Sequence, residues 1–276
     1  MQRVKETGLH KNVFVAMPED GCAWVTGASS GIGRALALDL AHSGWTVAAT
    51  ARSAEALCTL TLEARELPGS IEAFPGDVSD TGAMASCTEM LCERFGQIGL
   101  LVANAGVYLP QDGLNADVEA FRTSFEVNLM GAVNVLLPTI SLMKRAGKGQ
   151  IAIVSSVAGY TGLPTSAAYG ATKAGLINLA ESLKFDLDRS GIHLQVINPG
   201  FVDTPATSSN PFPMPHLLSV EEAVQEIRRG LEQRNKFEIA FPRSFVWKLK
   251  LLNLLPYRLY FPLIAKATGW NKKQAD

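Results

Sequence analysis

Thr26-Gly27-Ala28-Ser29-Ser30-Gly31-Ile32-Gly33 decides how the chain is read. Before it runs Cys22-Ala23-Trp24-Val25, apolar and short enough for a buried strand. After it runs Arg34 to Ala41, good helix formers with leucines at helical spacing. The glycines therefore sit on a strand-to-helix turn. At such a turn, backbone N–H groups and the positive end of the helix face one point, a natural seat for a pyrophosphate. Glycine supplies backbone angles with φ > 0 and leaves no Cβ in the path of a phosphate. The spacing is Gly-x3-Gly-x-Gly, not the commoner Gly-x-Gly-x-x-Gly. Taken alone, the stretch also fits a merely structural glycine turn.

Further along, Tyr169-Gly170-Ala171-Thr172-Lys173 sets Tyr and Lys four apart, on one face of a helix. Ser156 lies thirteen residues before the Tyr, just past the strand-like run from Gln150 to Ser155. Asn104-Ala105-Gly106 follows another apolar run, Gly99 to Ala103. Asn128 falls inside a long helical pattern, and Asn198-Pro199-Gly200 closes a further strand. Singly, each has a plainer reading: a core tyrosine, a solvated lysine, a mid-helix Asn, a turn Asn. The ordered set from glycine loop to Pro-Gly resembles the short-chain dehydrogenase/reductase family over about residues 20 to 240.

Strand-like runs alternate with helical ones: strands near 22–26, 46–51, 71–75, 100–103, 151–155, 193–198 and 237–241, helices between. This predicts parallel βαβ units with right-handed crossovers. The expected fold is α/β, a Rossmann-like doubly wound parallel sheet with helices on both faces. Ser53 is expected to cap a helix over 54–66, Ser79 one running to Phe95, and Ser219 with Glu222 to form a capping box. A single long helix is expected from Asp117 to Lys144. Residues 1–20 read as a flexible leader, with Met17 as a candidate natural start and no signal-peptide core. Residues 21–241 form the dehydrogenase domain, and 242–276 a basic, apolar extension.

The chemistry expected is hydride transfer between a nicotinamide and a carbonyl or secondary-alcohol carbon. Tyr169 handles the proton on oxygen. A phenol's reference pKa is about 10, so a nearby cation, Lys173, is expected to lower it. Ser156 holds the substrate oxygen beside the Tyr hydroxyl. The resemblance implies more. Lys173 bonds the nicotinamide ribose, and Asn128 bonds a backbone carbonyl through a helix kink and holds a water linked to the Lys. Gly27, Ser29, Ser30, Gly31, Ile32 and Gly33 carry the pyrophosphate. Asp77 and Val78 meet the adenine, while Asn104, Ala105 and Gly106 line the pocket. Pro199, Gly200, Val202 and Thr204 meet the nicotinamide end.

NAD-binding units usually place an acid about 20 residues past the glycine loop. Here the second strand ends Thr50-Ala51-Arg52-Ser53. Arg52 suits a 2′-phosphate that a carboxylate would repel, with Ser53 beside it. NADP is therefore expected over NAD; a solvated Arg at a helix start is the plainer reading. Apolar loop residues Val107, Tyr108, Leu109, Val157, Leu163, Phe201, Phe212 and Met214 point to an apolar substrate.

The net charge is −1, which gives no reason to expect nucleic acid. Four cysteines and four scattered histidines form no metal-ligand spacing, so no metal site is expected. The thiols suit a cytoplasmic protein. Pairing of the helices over 117–144 and 166–189, with Leu129, Val133, Leu136 and Leu137 on the first, suits the homo-oligomer that the resemblance implies.

Two other functions compete: a catalytically silent NADP-binding regulator, and an epimerase or dehydratase of nucleotide sugars. The intact Tyr and Lys speak against the first and the glycine spacing against the second. The tail from Pro242 carries seven cations against one acid, a net +6 that leaves −7 for the rest. Leu and aromatics lie between the cations. Three readings stay open: a segment on the inner face of a membrane, a lid over the substrate pocket, and a subunit interface.

Overall fold

The computed structural model describes residues 13–208 and 214–272. Seven parallel strands form one sheet in the order β3-β2-β1-β4-β5-β6-β7. They are β1 (Cys22–Thr26), β2 (Thr46–Thr50), β3 (Ser70–Ala73), β4 (Ile98–Ala103), β5 (Gly149–Val154), β6 (Ile192–Pro199) and β7 (Glu238–Phe241). Every residue of β1, β4, β5 and β6 is buried. That is why these strands read as continuous apolar runs: both of their faces are covered.

Two cores flank the sheet. On one face lie α1 (Gly31–His42), α2 (Ala54–Glu63) and α7 (Val220–Leu231), burying Leu36, Leu40, Leu57, Leu60 and Ile227 against Val25, Val47 and Val102. On the other lie α3 (Thr81–Phe95), α5 (Gly131–Ala146) and α6 (Ala167–Arg189), burying Met84, Leu91, Val135, Leu136, Met143 and Leu176 against Trp24, Leu101 and Ile153. The order reverses between β1 and β4, the crevice where such sheets bind ligands.

The helix expected over 117–144 is not continuous. It consists of α4 (Val118–Phe125), one π-helical turn from Glu126 to Met130, and α5. Apolar periodicity runs on across the turn, so the pattern hides it. The 118–146 run is long and apolar enough to cross a membrane, yet its α5 face is buried on β4 and β5. The cap of α3 is Asp80, not Ser79. Asp80 Oδ1 accepts from Ala83 N, while Ser79 gives both its N–H and its hydroxyl to Asp77. Ser53 caps α2 as expected, and Ser219 with Glu222 forms the capping box of α7.

Residues 1–12 lie outside the described chain, but 13–20 depart from a flexible leader. Ala16 is buried, its N–H bonds Gln150 Oε1 at 2.8 Å, and Phe14 packs on the core under the Lys148 ammonium.

The extension forms two helices, α8 (Arg243–Asn253) and α9 (Tyr257–Ala267). They close over the carboxyl end of the sheet. Val246 and Leu249 form a third small core with Val157, joined by Tyr160, Phe245 and Leu252.

Candidate active site

A cavity of about 860 Å³ opens at the carboxyl ends of β1, β4, β5 and β6. One half is the glycine-loop groove, lined by Gly27, Ser29, Ser30, Gly31 and Ile32. Gly27 and Gly31 have φ of +67° and +53°, open to glycine at no steric cost. A Cβ on Gly31 would lie 3.2 Å from Thr204 Cγ2, and one on Gly27 2.8 Å from Ala105 Cα. Gly33 is not on the cavity wall. It lies beneath the loop, where a Cβ would overlap Asn104 Nδ2 and Gly27 O. Ser30 caps α1 without a side-chain hydrogen bond. The first N–H groups of the helix thus have no internal acceptor at that cap, and they face the groove. This cradle fits a pyrophosphate.

Asn104 braces the loop. Its amide donates to Thr26 O at 2.9 Å, while Asn104 N and Ala105 N both bond Thr26 Oγ1 at 3.1 Å. Arg52 and Asp77 close the far end of the groove with Val78. Ser79 holds the Asp77 carboxyl below its ordinary range, against burial, and the Arg52 charge adds to this. Ser53 is off the wall: its hydroxyl accepts from Ala56 N at 3.2 Å to cap α2.

The candidate reacting groups share the cavity wall. Ser156 lies two residues past β5 and caps a short 3₁₀ turn, accepting from Ala158 N at 3.1 Å. Tyr169 and Lys173 project from α6 onto the same wall. Lys173 Nζ donates to Val154 O at 2.9 Å and stands 5.5 Å from the centre of the Tyr169 ring. Tyr108 meets that ring edge-on at 4.9 Å. Asn128 lies one layer behind, fully buried in the π-helical turn. Its amide donates to Val107 O at 2.9 Å and its oxygen accepts from Val107 N at 2.7 Å. It also bonds Thr172 Oγ1 at 3.2 Å. A Cβ on Gly106 would come 3.2 Å from Asn128 Oδ1 and 3.5 Å from Lys173 Nζ, so glycine leaves this space open.

The electrostatics correct one expectation. Burial pushes the Tyr169 phenol up to about 12, while its hydrogen bond with Ser156 pulls the other way. Burial also brings the Lys173 ammonium down to about 8. Desolvation is the largest cause at both groups.

The other half of the cavity is apolar. Val107, Tyr108, Val157, Leu163 and Phe201 line it as expected; Leu109 and Met214 do not, and Phe212 lies outside the described residues. Pro199, Gly200, Val202 and Thr204 form its floor. Phe245, Leu249, Leu252 and Ile264, from α8 and α9, close it as a lid. They are spaced 245, 249, 252 along α8, an amphipathic signal present in the sequence.

A polar clasp fixes the lid, and sequence reading missed it. Glu238 of β7 takes hydrogen bonds from Tyr160, from Asn198 at 2.9 Å and from Lys250 of α8. Burial alone would raise its carboxyl; these bonds and the Lys250 charge more than offset that and hold it below the ordinary range. Tyr260 of α9 donates to Gly162 O in the loop after β5.

A family model described as short chain dehydrogenase matches residues 21–212. The chain belongs to the short-chain dehydrogenase/reductase family. A Myxococcus xanthus protein named "Uncharacterized oxidoreductase" is 36% identical over 238 residues, 86% of this chain and 94% of its own. A Thermotoga maritima 3-oxoacyl-[acyl-carrier-protein] reductase is 35% identical over 187 residues, 68% of this chain and 76% of its own. An alcohol dehydrogenase of the archaeon Thermococcus sibiricus, solved with 5-hydroxy-NADP, superposes with a TM-score of 0.72 at 28% identity. The match covers 80% of this chain and 95% of that one. The protein is accordingly an NAD(P)-dependent dehydrogenase/reductase acting on small molecules.

Proposed function

We propose that the protein exchanges a hydride between NADP and an apolar carbonyl or secondary alcohol. The observation that carries this is convergence. Ser156, Tyr169 and Lys173 share one wall between the nucleotide groove and the apolar half of the cavity.

The cofactor, when bound, supplies or accepts the hydride. The chain's own residues do the rest. Tyr169 passes the proton at the substrate oxygen, and with its pKa near 12 it holds that proton at neutral pH. Ser156 bonds the same oxygen and fixes its distance from the phenol. General acid–base transfer of this kind is typically worth roughly 10²- to 10⁴-fold. Lys173 is anchored to Val154 O and would offer its remaining N–H donors to the cofactor's ribose. Asn128 fixes Val107, and so holds the loop after β4 against α6. The apolar lid excludes water and suits a substrate with little polar surface beyond its carbonyl. The Thermococcus relative's ligand and the Thermotoga relative's name agree with this class.

Arg52 supports NADP over NAD, because no acid stands at the end of β2 and Arg52 lines the groove there. Ser53 uses its hydroxyl to cap α2 and does not line the groove. The exposed side chains Phe125, Met130, Leu137 and Phe185 on α4, the π-helical turn, α5 and α6 suit a homo-oligomer paired through these helices. Leu136, by contrast, faces the core. We place the protein in the cytoplasm, where its four free thiols stay reduced.

The test is cofactor oxidation across a panel of ketones and aldehydes with each nicotinamide. Wild type should prefer NADPH, and Arg52→Ala should lose that preference by roughly tenfold or more, as expected for a bidentate phosphate contact. An Arg52→Ala enzyme that keeps the preference would sink the NADP assignment. Inactivity on every carbonyl, with tight NADPH binding, would favour the silent regulator.

A further inference from the structure

The lid has a second face. Among the described residues, seventeen large apolar side chains are exposed, and seven of them crowd into residues 247–263. They are Trp247, Leu251, Leu254, Tyr257, Leu259, Phe261 and Leu263, at 45–80% exposure. None of them lines the cavity. The inward set on the same two helices is different: Phe245, Leu249, Leu252 and Ile264. Each helix is thus apolar on both sides, which covering a pocket does not require. Tyr257 stacks on Phe261 at 5.6 Å, so part of the outer set forms an aromatic ledge. Apolar exposure at this density marks a contact.

The charges identify the contact. Residues 242–272 hold no acid; Lys250 pairs with Glu238 and Lys248 lines the cavity, which leaves Arg243, Arg258 and Lys266 exposed. The chain outside the 242–276 extension is net −7. A second copy of this face is a poor occupant, because a two-fold contact would set cations against cations. Leu and aromatics flanked by Lys and Arg on helices of this length suit the headgroup boundary of an anionic membrane. Pro256 separates α8 from α9, so each is far shorter than the roughly 20 residues of a membrane span. The segment lies in the interface and does not cross it.

We propose that the outer face of α8 and α9 seats the protein on an anionic lipid surface, with the acidic body turned away. A helix is about 10 Å across, so the apolar cavity then lies one helix thickness from the lipid. An apolar substrate dissolved in the bilayer reaches the site past the lid. This last consequence rests on the cavity's reading as a carbonyl site; the docking itself does not.

Vesicle flotation without substrate or cofactor tests it. The full chain should float with vesicles of equal phosphatidylglycerol and phosphatidylcholine at low salt, and stay down with pure phosphatidylcholine. Half-molar salt should weaken the attachment. Arg258→Glu with Lys266→Glu should reduce partitioning by roughly tenfold or more, since each cation near such a surface contributes measurably. Trp247→Ser, Leu254→Ser and Phe261→Ser together should abolish flotation while leaving the thermal melt, the solution mass and NADPH affinity as in wild type. Full-length protein that ignores the anionic vesicles overturns the proposal. So does a triple variant that floats like wild type. A triple variant whose solution mass halves would make the face an interface between copies, which also overturns it. No arm reads turnover, so failure here leaves the catalytic assignment untouched, and an inactive Tyr169→Phe enzyme says nothing about docking.

Discussion

The two halves of the cavity are built on different principles. The nucleotide half uses backbone: a glycine loop, the free N–H groups of α1, and an Asn104 that ties the loop to Thr26. The substrate half uses side-chain bulk from α8, α9 and the loops, held by the Glu238 clasp. Backbone geometry tolerates few residue types, so the first half is written in fixed motifs. Bulk can come from any apolar residue, so the second half is free to vary. One fold can thereby keep its chemistry and exchange its substrate.

The sharpest test of the comparison lies where the halves meet. Tyr169→Phe keeps the ring and its edge-on contact with Tyr108 but removes the hydroxyl. It should fold, bind NADPH and lose roughly 10²- to 10⁴-fold in kcat. Single-turnover rates with a saturating ketone would show this. More than about a tenth of wild-type rate would break the proton-transfer role. The pKa near 12 adds a sign. The phenol is protonated through neutral pH, so carbonyl reduction should be flat from pH 6 to 8. Alcohol oxidation needs the phenolate and should climb with pH over the same span.

Lys173→Met should move two quantities in opposite directions. Rate and NADPH affinity should both fall if the cation meets the ribose as proposed. Stability of the cofactor-free protein should rise. The folded pKa, about 8, lies below the model-peptide value near 10.4. The unfolded chain therefore binds the proton more tightly, and at pH 7 the buried ammonium opposes folding. Removing it should gain on the order of 1–3 kcal/mol, after losing the bond to Val154 O. That is a rise of roughly 2–4 °C in Tm per kcal/mol. The gain should shrink between pH 8 and 10, as wild type sheds its proton. A Tm that drops at pH 7 would show that Lys173 is held for stability rather than function.

How much was legible follows from the same contrast. The glycine loop, Asn104, Ser156, Tyr169 and Lys173 could be read because each carries a constraint of backbone or charge. The seven strands were legible because burial on both faces leaves unbroken apolar runs. The π-helical turn at Asn128 was hidden, since one extra residue in a turn leaves the apolar stripe intact. Ser79 and Asp80 are adjacent cap residues, and only the tertiary contact with Asp77 decides between them. Ala16 carries no periodicity; its place is set by Gln150, far along the chain. In the tail, helical spacing at 245, 249 and 252 is readable, but charge and apolar content leave membrane, lid and interface open, and only packing against Val157 and Tyr160 shows which residues face inward. The structure shows two faces, an inner lid and an exposed outer ledge.

The smallest expected effect concerns the clasp. Glu238 joins three elements: Tyr160 in the loop after β5, Asn198 on β6 and Lys250 on α8. The Glu238 and Lys250 side chains keep 28% and 39% of their exposure, so solvent screens the pair. Such a pair is worth about 1 kcal/mol at most, which is roughly fivefold in an equilibrium constant. Lys250→Met keeps most of the stem and removes the ammonium that lies over the Tyr160 ring. The lid should open more often, and only the substrate half should notice. KM for an apolar ketone should rise roughly threefold to fivefold, with kcat and NADPH affinity held. Glu238→Gln should act in the same direction, and the double variant should cost less than the sum of the two. The carboxyl's depressed pKa sets the pH limit. Its contribution is full above the unfolded value near 4.5 and is lost as pH falls through the lower folded value. Wild-type KM should therefore drift toward that of the variants only below about pH 4.5. If Lys250→Met weakens NADPH binding as much as it raises KM, the two halves are not independent, and the division of labour proposed for this cavity fails.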